Sequence, residues 1–438
     1  MGEVDGGIGV PMKYDRRTCD LGQARRQVVA LEDVGIDDDE GHDHAFVIVR
    51  HLRRMVQGGV VVATGRFDLP ADIATVDCRG RTLSPAIVDL GVFTIDVPAC
   101  HAGGIVRVGL MPDQTPVLDD PGIVQRAALI GRPGLWIHPI AAATRGLAGK
   151  DLAEMAINRD AGAVAVGTGE RWIADSGVMR KVLAYAGDLG LTLIAEAQDG
   201  GVVGTAVATA GETATRMGLP SAPSLAEPLA IARDLMLAEE TGAKIHFRTV
   251  TTAAGFDLVR AAKRRGVRVT CGITPAHLLL SDIAMSDFRT FTHLSPPLRD
   301  ESDRQACLAA LADGTIDILC SGHDPRGPEE KRLPFADSAH GMAGAETLLA
   351  LALGIVRDER ITLQRMIAML SAGPAAILGL ETGTLTVGAP ADLMLFDEGA
   401  PWLIDTDNMV ALAGNTPFDG LPVQGKVLRL WKGGAALR

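Results

Sequence analysis

The sequence predicts an α/β protein, a TIM-type (β/α)8 barrel carrying a small composite β domain built from both ends of the chain. Three observations predict it. Between residues 85 and 384, apolar runs of four to seven residues alternate with helical segments, the texture of parallel strands buried on both faces and joined by crossover helices. Hydrophobic residues make up 47% of the chain but aromatics only 4%, with 51 Gly, which suits a large core of small aliphatic side chains. Short β-branched runs of a different texture, broken by Gly, Pro and Asp, flank the barrel on both sides.

Residues 1–44 show no period of 2 or 3.6, and DDDEGHDH (37–44) is their most charged stretch, so an irregular arm is expected there. From Ala45 the runs AFVIV, GGVVVATG, ATVDC and RTLSP read as strands and assign 45–84 to the β domain. Eight candidate barrel strands follow: AIVDLGVF (86–93), GIVRVGLM (104–111), GLWIHPI (134–140), AGAVAVG (161–167), LTLIAEA (191–197), AKIHFRT (243–249), VRVTCGI (267–273) and IDILCSG (316–322). Ser224 with Glu227 reads as a capping box opening one helix, and Gly242 as its stop. Strand texture returns in TGTLTVGAPADLMLF and VQGKVLRLWKGG, which places 385–438 in the same β domain as 45–84.

The formal charge of −12 disfavours nucleic acid and anionic membranes as partners, because like charges repel. The first residues lack the apolar stretch of a signal peptide, and no run of about 18 apolar residues occurs, so a soluble cytoplasmic protein is expected. Six scattered cysteines without a CxxC pair read as reduced. The segment AVGTGERW has neither a GK[ST] ending nor GxGxxG spacing, so it is no phosphate loop.

In a barrel, chemistry sits at the C-terminal ends of the strands. A metal-dependent hydrolase needs several His, Asp or modified Lys ligands converging there, since bound Zn²⁺ lowers the pKa of water from about 15.7 to about 7. Read strand by strand, only Glu196, His246, His323 and a few Asp qualify. His246 reads as a core histidine, and His42 and His44 as part of a solvated charge run. Glu196, Asp89, Asp113 and Asp199 form one conceivable oxygen-rich cation site.

The motifs SPAIVDL (84–90), MPDQTPV (111–117), TPAHLLLSD (274–282), PPLRDESDR (296–304), DGTIDILCSGHDP (313–325), GMAGAET (341–347) and GNTPFDG (414–420) resemble those of bacterial dihydroorotases from about Gly58 onward. These are the cyclic amidohydrolases of pyrimidine synthesis, and the resemblance implies a zinc site. At every ligand position it implies, another residue stands: Gly91 and Phe93 for the His-x-His after strand 1, Thr168 for the carboxylated lysine of strand 4, Glu196 and Thr249 for the histidines of strands 5 and 6, and Gly322 for the strand 8 Asp. Of the implied substrate contacts, the Arg is Ile95 and the Asn of MPNT is Asp113. No catalytic residue and no metal are therefore expected; Asp113, Glu196, His277 and His323 are the remnants of the pocket. Without metal, the hydroxide fraction at neutral pH falls by roughly eight orders of magnitude.

The chain further resembles those dihydroorotase homologues without a metal site that assemble with aspartate carbamoyltransferase. That resemblance implies a non-catalytic structural or regulatory partner of this transferase in an oligomeric complex. Two alternatives stay open: an active cyclic amidohydrolase with a rearranged metal site, and a sensor of pyrimidine-like ligands at the barrel mouth. A dihydropyrimidinase-like chain is disfavoured by MPDQTPV and GNTPFDG.

Overall fold

Eight parallel strands, one on each of the eight runs, with the third running two residues past its run to Ala142, form the central sheet of the computed structural model, which describes residues 29–32, 53–65, 74–78 and 80–437. They are β1 (Ile87–Val92), β2 (Ile105–Leu110), β3 (Trp136–Ala142), β4 (Ala165–Gly167), β5 (Thr192–Ala195), β6 (Lys244–Phe247), β7 (Val269–Ile273) and β8 (Ile318–Leu319). Each pairs with the next in chain order. The two ends of the sheet meet where Phe93 N–H donates to His323 O at 3.0 Å and Asp89 accepts the Ser321 N–H, also at 3.0 Å, together with the Ser321 hydroxyl. This closes the barrel.

Period-two alternation sorts the strand residues. Val88, Leu90, Ile140, Ala165, Ile194 and Ile318 share one apolar cluster inside the ring, whereas Val108, Ala195, Ile245 and Phe247 belong to the layer packed against helices. Several helices start on side-chain caps that satisfy their first free N–H groups: Asp120 before Pro121–Leu129, Asp175 before Ser176–Asp188, Thr252 before Ala253–Arg264 and Asp300 before Glu301–Ala312.

The capping box expected at Ser224 is not formed. The helix Ala226–Thr241 follows Leu225, with no side-chain cap. Glu227 is fully buried and turns instead to the loop after β6, accepting the N–H groups of Thr251 and Thr252 at 2.9 and 2.8 Å and both hydroxyls. Buried loop amides have a stronger claim on that carboxylate than an exposed helix end that water can serve. Gly242 ends the helix in the left-handed conformation, as its position suggests.

The β domain holds two four-stranded sheets, one of Val29–Glu32, Arg53–Gln57, Val60–Gly65 and Ala74–Asp77, the other of Thr82–Pro85, Leu393–Leu403, Pro422–Lys432 and Ala435–Ala436. Val56, Val61, Val76, Leu83, Leu393 and Trp431 pack into one core, so segments from both sides of the barrel share it. The strand Val29–Glu32 falls in the stretch read as irregular; four residues are too short to show a period, and pairing with Arg53–Gln57 and Ala74–Asp77 defines it. The run AFVIV and the pair His42/His44 lie outside the described residues. At the strand-start end of the barrel, Asp392 accepts from Arg107 at 2.7 Å and from Lys432 at 2.9 Å, with both cations over the Trp136 ring, tying the β domain to β2 and β3. Among the described residues no helix is long and apolar enough to cross a membrane.

Candidate functional site

The strand ends converge on a mouth whose implied ligand positions carry almost nothing that can bind a cation. Gly91 has φ +106° and Gly322 φ +59°, backbone conformations that favour glycine. A Cβ on Gly91 would lie 3.8 Å from Arg248 Cγ and Cδ, and one on Gly322 would lie 3.1 Å from Thr274 Cγ2. Phe93 is buried and offers only a ring. The Thr168 hydroxyl accepts the Glu196 N–H at 2.9 Å, and Thr249 is buried. Glu196 alone presents a ligand atom, and it is already engaged: Arg248 Nη2 donates to its Oε2 at 2.5 Å.

Arg248 is the residue that reading the strand ends for metal ligands overlooks. Its side chain is 5% exposed and runs along the inside of the ring, with the guanidinium 4.9 Å from the centre of the Phe93 ring. Its position follows from register. Ala195 pairs with Phe247 between β5 and β6, so the next pair, Glu196 and Arg248, stands side by side and faces the interior where Ala195 and Phe247 face out. A buried Arg demands a counterion, and the neighbouring strand supplies it one step along. The fixed positive charge of this site is a side chain.

The structure does not bring the remaining remnants together. Asp113 accepts the Glu170 N–H at 3.0 Å, and burial pushes its carboxyl pKa up. His277 is fully used: the Thr274 hydroxyl lies 2.8 Å from Nδ1 and the Pro296 carbonyl 2.9 Å from Nε2, while burial holds its pKa down at about 4. Ala345 N–H donates to His323 Nδ1 at 3.2 Å, which puts the ring proton on Nε2, 3.6 Å from Asp96 Oδ2. That histidine braces a loop. His246 contacts the Thr270 hydroxyl at 2.9 Å, leaves Nε2 without a partner, and has its pKa driven to about 3 by burial. The conceivable oxygen-rich site of Glu196, Asp89, Asp113 and Asp199 does not form, since Asp89 serves Ser321 and Asp199 caps a helical turn at Gly201 and Val202.

A different trio does approach. Ligand atoms of Glu170, Asp324 and His340 lie within 4.8 Å of one another and could hold a cation. None of the three was singled out from sequence, because they come from separate loops. They line a cavity of only 30 Å³ together with Phe93 and Arg248, the room of about one water molecule. Guanidinium groups crowd this trio: Arg326 donates to Asp324 at 2.6 Å, and Arg248 acts on Glu170. Burial raises the Glu170 pKa to about 7 and lowers that of His340 to about 4, so near neutral pH the 3.6 Å contact joins a neutral imidazole to a carboxyl about half ionised.

The fold and the location of this mouth define a member of a large hydrolase class. The chain belongs to the amidohydrolase family, whose model matches residues 141–437. Within it the similarity is to dihydroorotases. The chain is 36% identical over 405 residues to the dihydroorotase of Pelobacter propionicus, covering 89% of this chain and 94% of that one. It is likewise 36% identical over 417 residues to that of Anaeromyxobacter dehalogenans, covering 91% and 95%. Among solved structures, the L-hydantoinase (dihydropyrimidinase) of Arthrobacter aurescens superposes with a TM-score of 0.81 at 22% identity over 93% of this chain and 95% of that one, a likeness of fold alone. The zinc typical of the family does not fit the residues at the family's positions here. Two are glycines, one is a phenylalanine, and the only carboxylate is neutralised by Arg248.

Two outcomes follow. Glu196→Gln leaves a buried guanidinium unpaired and should destabilise the protein by about 3–5 kcal/mol, whereas the double change Glu196→Leu with Arg248→Met should be near neutral or stabilising; urea midpoints measure both, and equal losses would contradict the buried pair. Glu170 has a folded pKa of about 7, above the ordinary 4.5, so its contribution is present below pH 4.5 and lost as pH rises through 7. Glu170→Gln mimics the protonated form. It should match the parent at low pH and become progressively more stable than the parent towards pH 8; a difference independent of pH would exclude the raised pKa.

Proposed function

We propose that this chain is a non-catalytic dihydroorotase homologue that works as a structural and regulatory partner of aspartate carbamoyltransferase in pyrimidine synthesis. The observation that carries the first half is the Arg248–Glu196 pair, which places a permanent cation in the mouth of a barrel that retains its dihydroorotase-like sequence. Hydrolysis of a cyclic amide requires a water made nucleophilic at neutral pH and a base to take its proton. Glu196 is paired with Arg248 and His277 is committed on both ring nitrogens, and the remaining carboxyl groups of the cavity, Glu170 and Asp324, face the guanidinium groups of Arg248 and Arg326. With other residues at the implied ligand positions, what this chain has in common with its relatives is the family fold over nearly its whole length, which supports an assembly role. The transferase as partner rests on the resemblance of the sequence.

The Glu170, Asp324 and His340 trio favours one second reading, an amidohydrolase with a displaced metal. Elemental analysis separates the two: the proposal expects far less than one equivalent of zinc per chain, and one or two tightly held ions with dihydroorotate turnover would replace it by the second reading. For the partner, gel filtration with multi-angle scattering should show this protein and the aspartate carbamoyltransferase of its own organism co-eluting, with a gain in transferase stability or activity. An obligate interface of about 2,000 Å² or more survives dilution to micromolar concentration. Independent elution with a transferase fully active alone would overturn that half.

A further inference from the structure

A second cavity, of 640 Å³, opens beside the barrel mouth, between the loop around residue 290, the segment following Arg326 and the GNTPFDG loop. Its lining stands apart from the rest of an acidic chain of net charge −12. Arg289, Arg326, Lys331 and Arg332 line it, against a single carboxylate, Asp407. Arg289 and Arg326 have carboxylate partners, Asp419 and Asp324. Among the described residues the other two have none. Lys331 is 4% exposed, and its ammonium donates only to the carbonyls of Thr290, His293 and Ala339 at 3.1, 3.5 and 2.6 Å. A buried ammonium satisfied by carbonyls keeps its full charge in a medium that screens poorly; burial lowers its pKa to about 8, the response of a cation short of negative charge. Arg332 is exposed, and its side chain has no ion pair among the described residues.

Two phenylalanines complete the lining, Phe288 and Phe291. Phe288 is 51% exposed and held at φ +60°, a conformation that a bulky side chain rarely adopts. Residues held in such conformations cluster at ligand clamps and active sites. The volume lies within the range of small-molecule sites, where a few placed charges accompany aromatic walls.

We propose that this pocket binds a phosphorylated small molecule bearing a flat ring, the chemistry of a mononucleotide, with the exposed Arg332 meeting the phosphate, the buried Lys331 ammonium adding its charge from behind the wall, and Phe288 and Phe291 meeting the ring. Arginine forks suit phosphate oxygens, and aromatic side chains stack on bases of any identity. The assignment is independent of whether the mouth is catalytic and of the partner, because the pocket lies outside the Arg248–Glu196 site.

The test is calorimetric titration of the full-length protein with AMP, UMP, inorganic phosphate and adenosine, at low salt. At least one nucleotide is expected to bind with sub-millimolar Kd, at least tenfold tighter than phosphate or adenosine alone. Arg332→Glu should weaken that binding at least tenfold, and Phe288→Ala should weaken it several-fold without changing the response to phosphate. Both side chains are exposed, so unchanged melting of the unliganded variants verifies their folding. Absence of nucleotide binding at millimolar concentration, binding no tighter than that of phosphate, or affinity unaffected by Arg332→Glu would each overturn the proposal.

Discussion

The site is organised by one buried ion pair, Arg248 with Glu196. Two charges, 5% and 6% exposed, are stable there only because each neutralises the other. The register between β5 and β6 sets them side by side, and the consequences spread from that contact. The aliphatic stem of Arg248 lies beside Gly91 and its guanidinium over Phe93, so the three strand ends β1, β5 and β6 are joined through one arginine. In a metal-dependent barrel the cation gathers carboxylates and histidines from several strands. Here a covalently attached cation does part of that gathering, and it brings no exchangeable water to activate.

This arrangement also explains why the mouth is not one substitution away from a ligand set. Gly91 and Gly322 adopt φ values that a side-chain-bearing residue reaches only with strain, and at Gly322 a Cβ would also crowd Thr274 Cγ2 at 3.1 Å. A histidine placed at Gly91 would project toward the arginine stem. What the chain preserves is the ring of strands, its helical layer and the β domain anchored by Asp392 between Arg107 and Lys432. Although burial works to raise the Asp392 pKa, these two cations hold it below the usual range, so the anchor stays charged.

Much of this was legible in the sequence. Seven of the eight apolar runs contain their strands whole, and the third strand passes its run by two residues, to Ala142, because a parallel strand buried on both faces has this one texture. Arg248 could have been found by aligning the fifth and sixth runs, since a charged residue at the same level in both is a pairing signal. Glu170, Asp324 and His340 could not, because loops of different length bring them together and periodicity does not extend into loops. Glu227 shows the limit of local rules: S-x-x-E spacing satisfies a helix-start pattern, yet the buried amides of Thr251 and Thr252 take the carboxylate.

The most direct test of the claim that a side chain occupies the place of the metal is crystallographic. Crystals grown with zinc in slight excess, with diffraction collected on both sides of the zinc edge, would locate every ordered ion by its anomalous signal. The account expects the Arg248 guanidinium in contact with Glu196 and no anomalous peak among the ends of β1, β4, β5, β6 and β8. A peak bonded to Glu196, with Arg248 turned out of the ring, would contradict it.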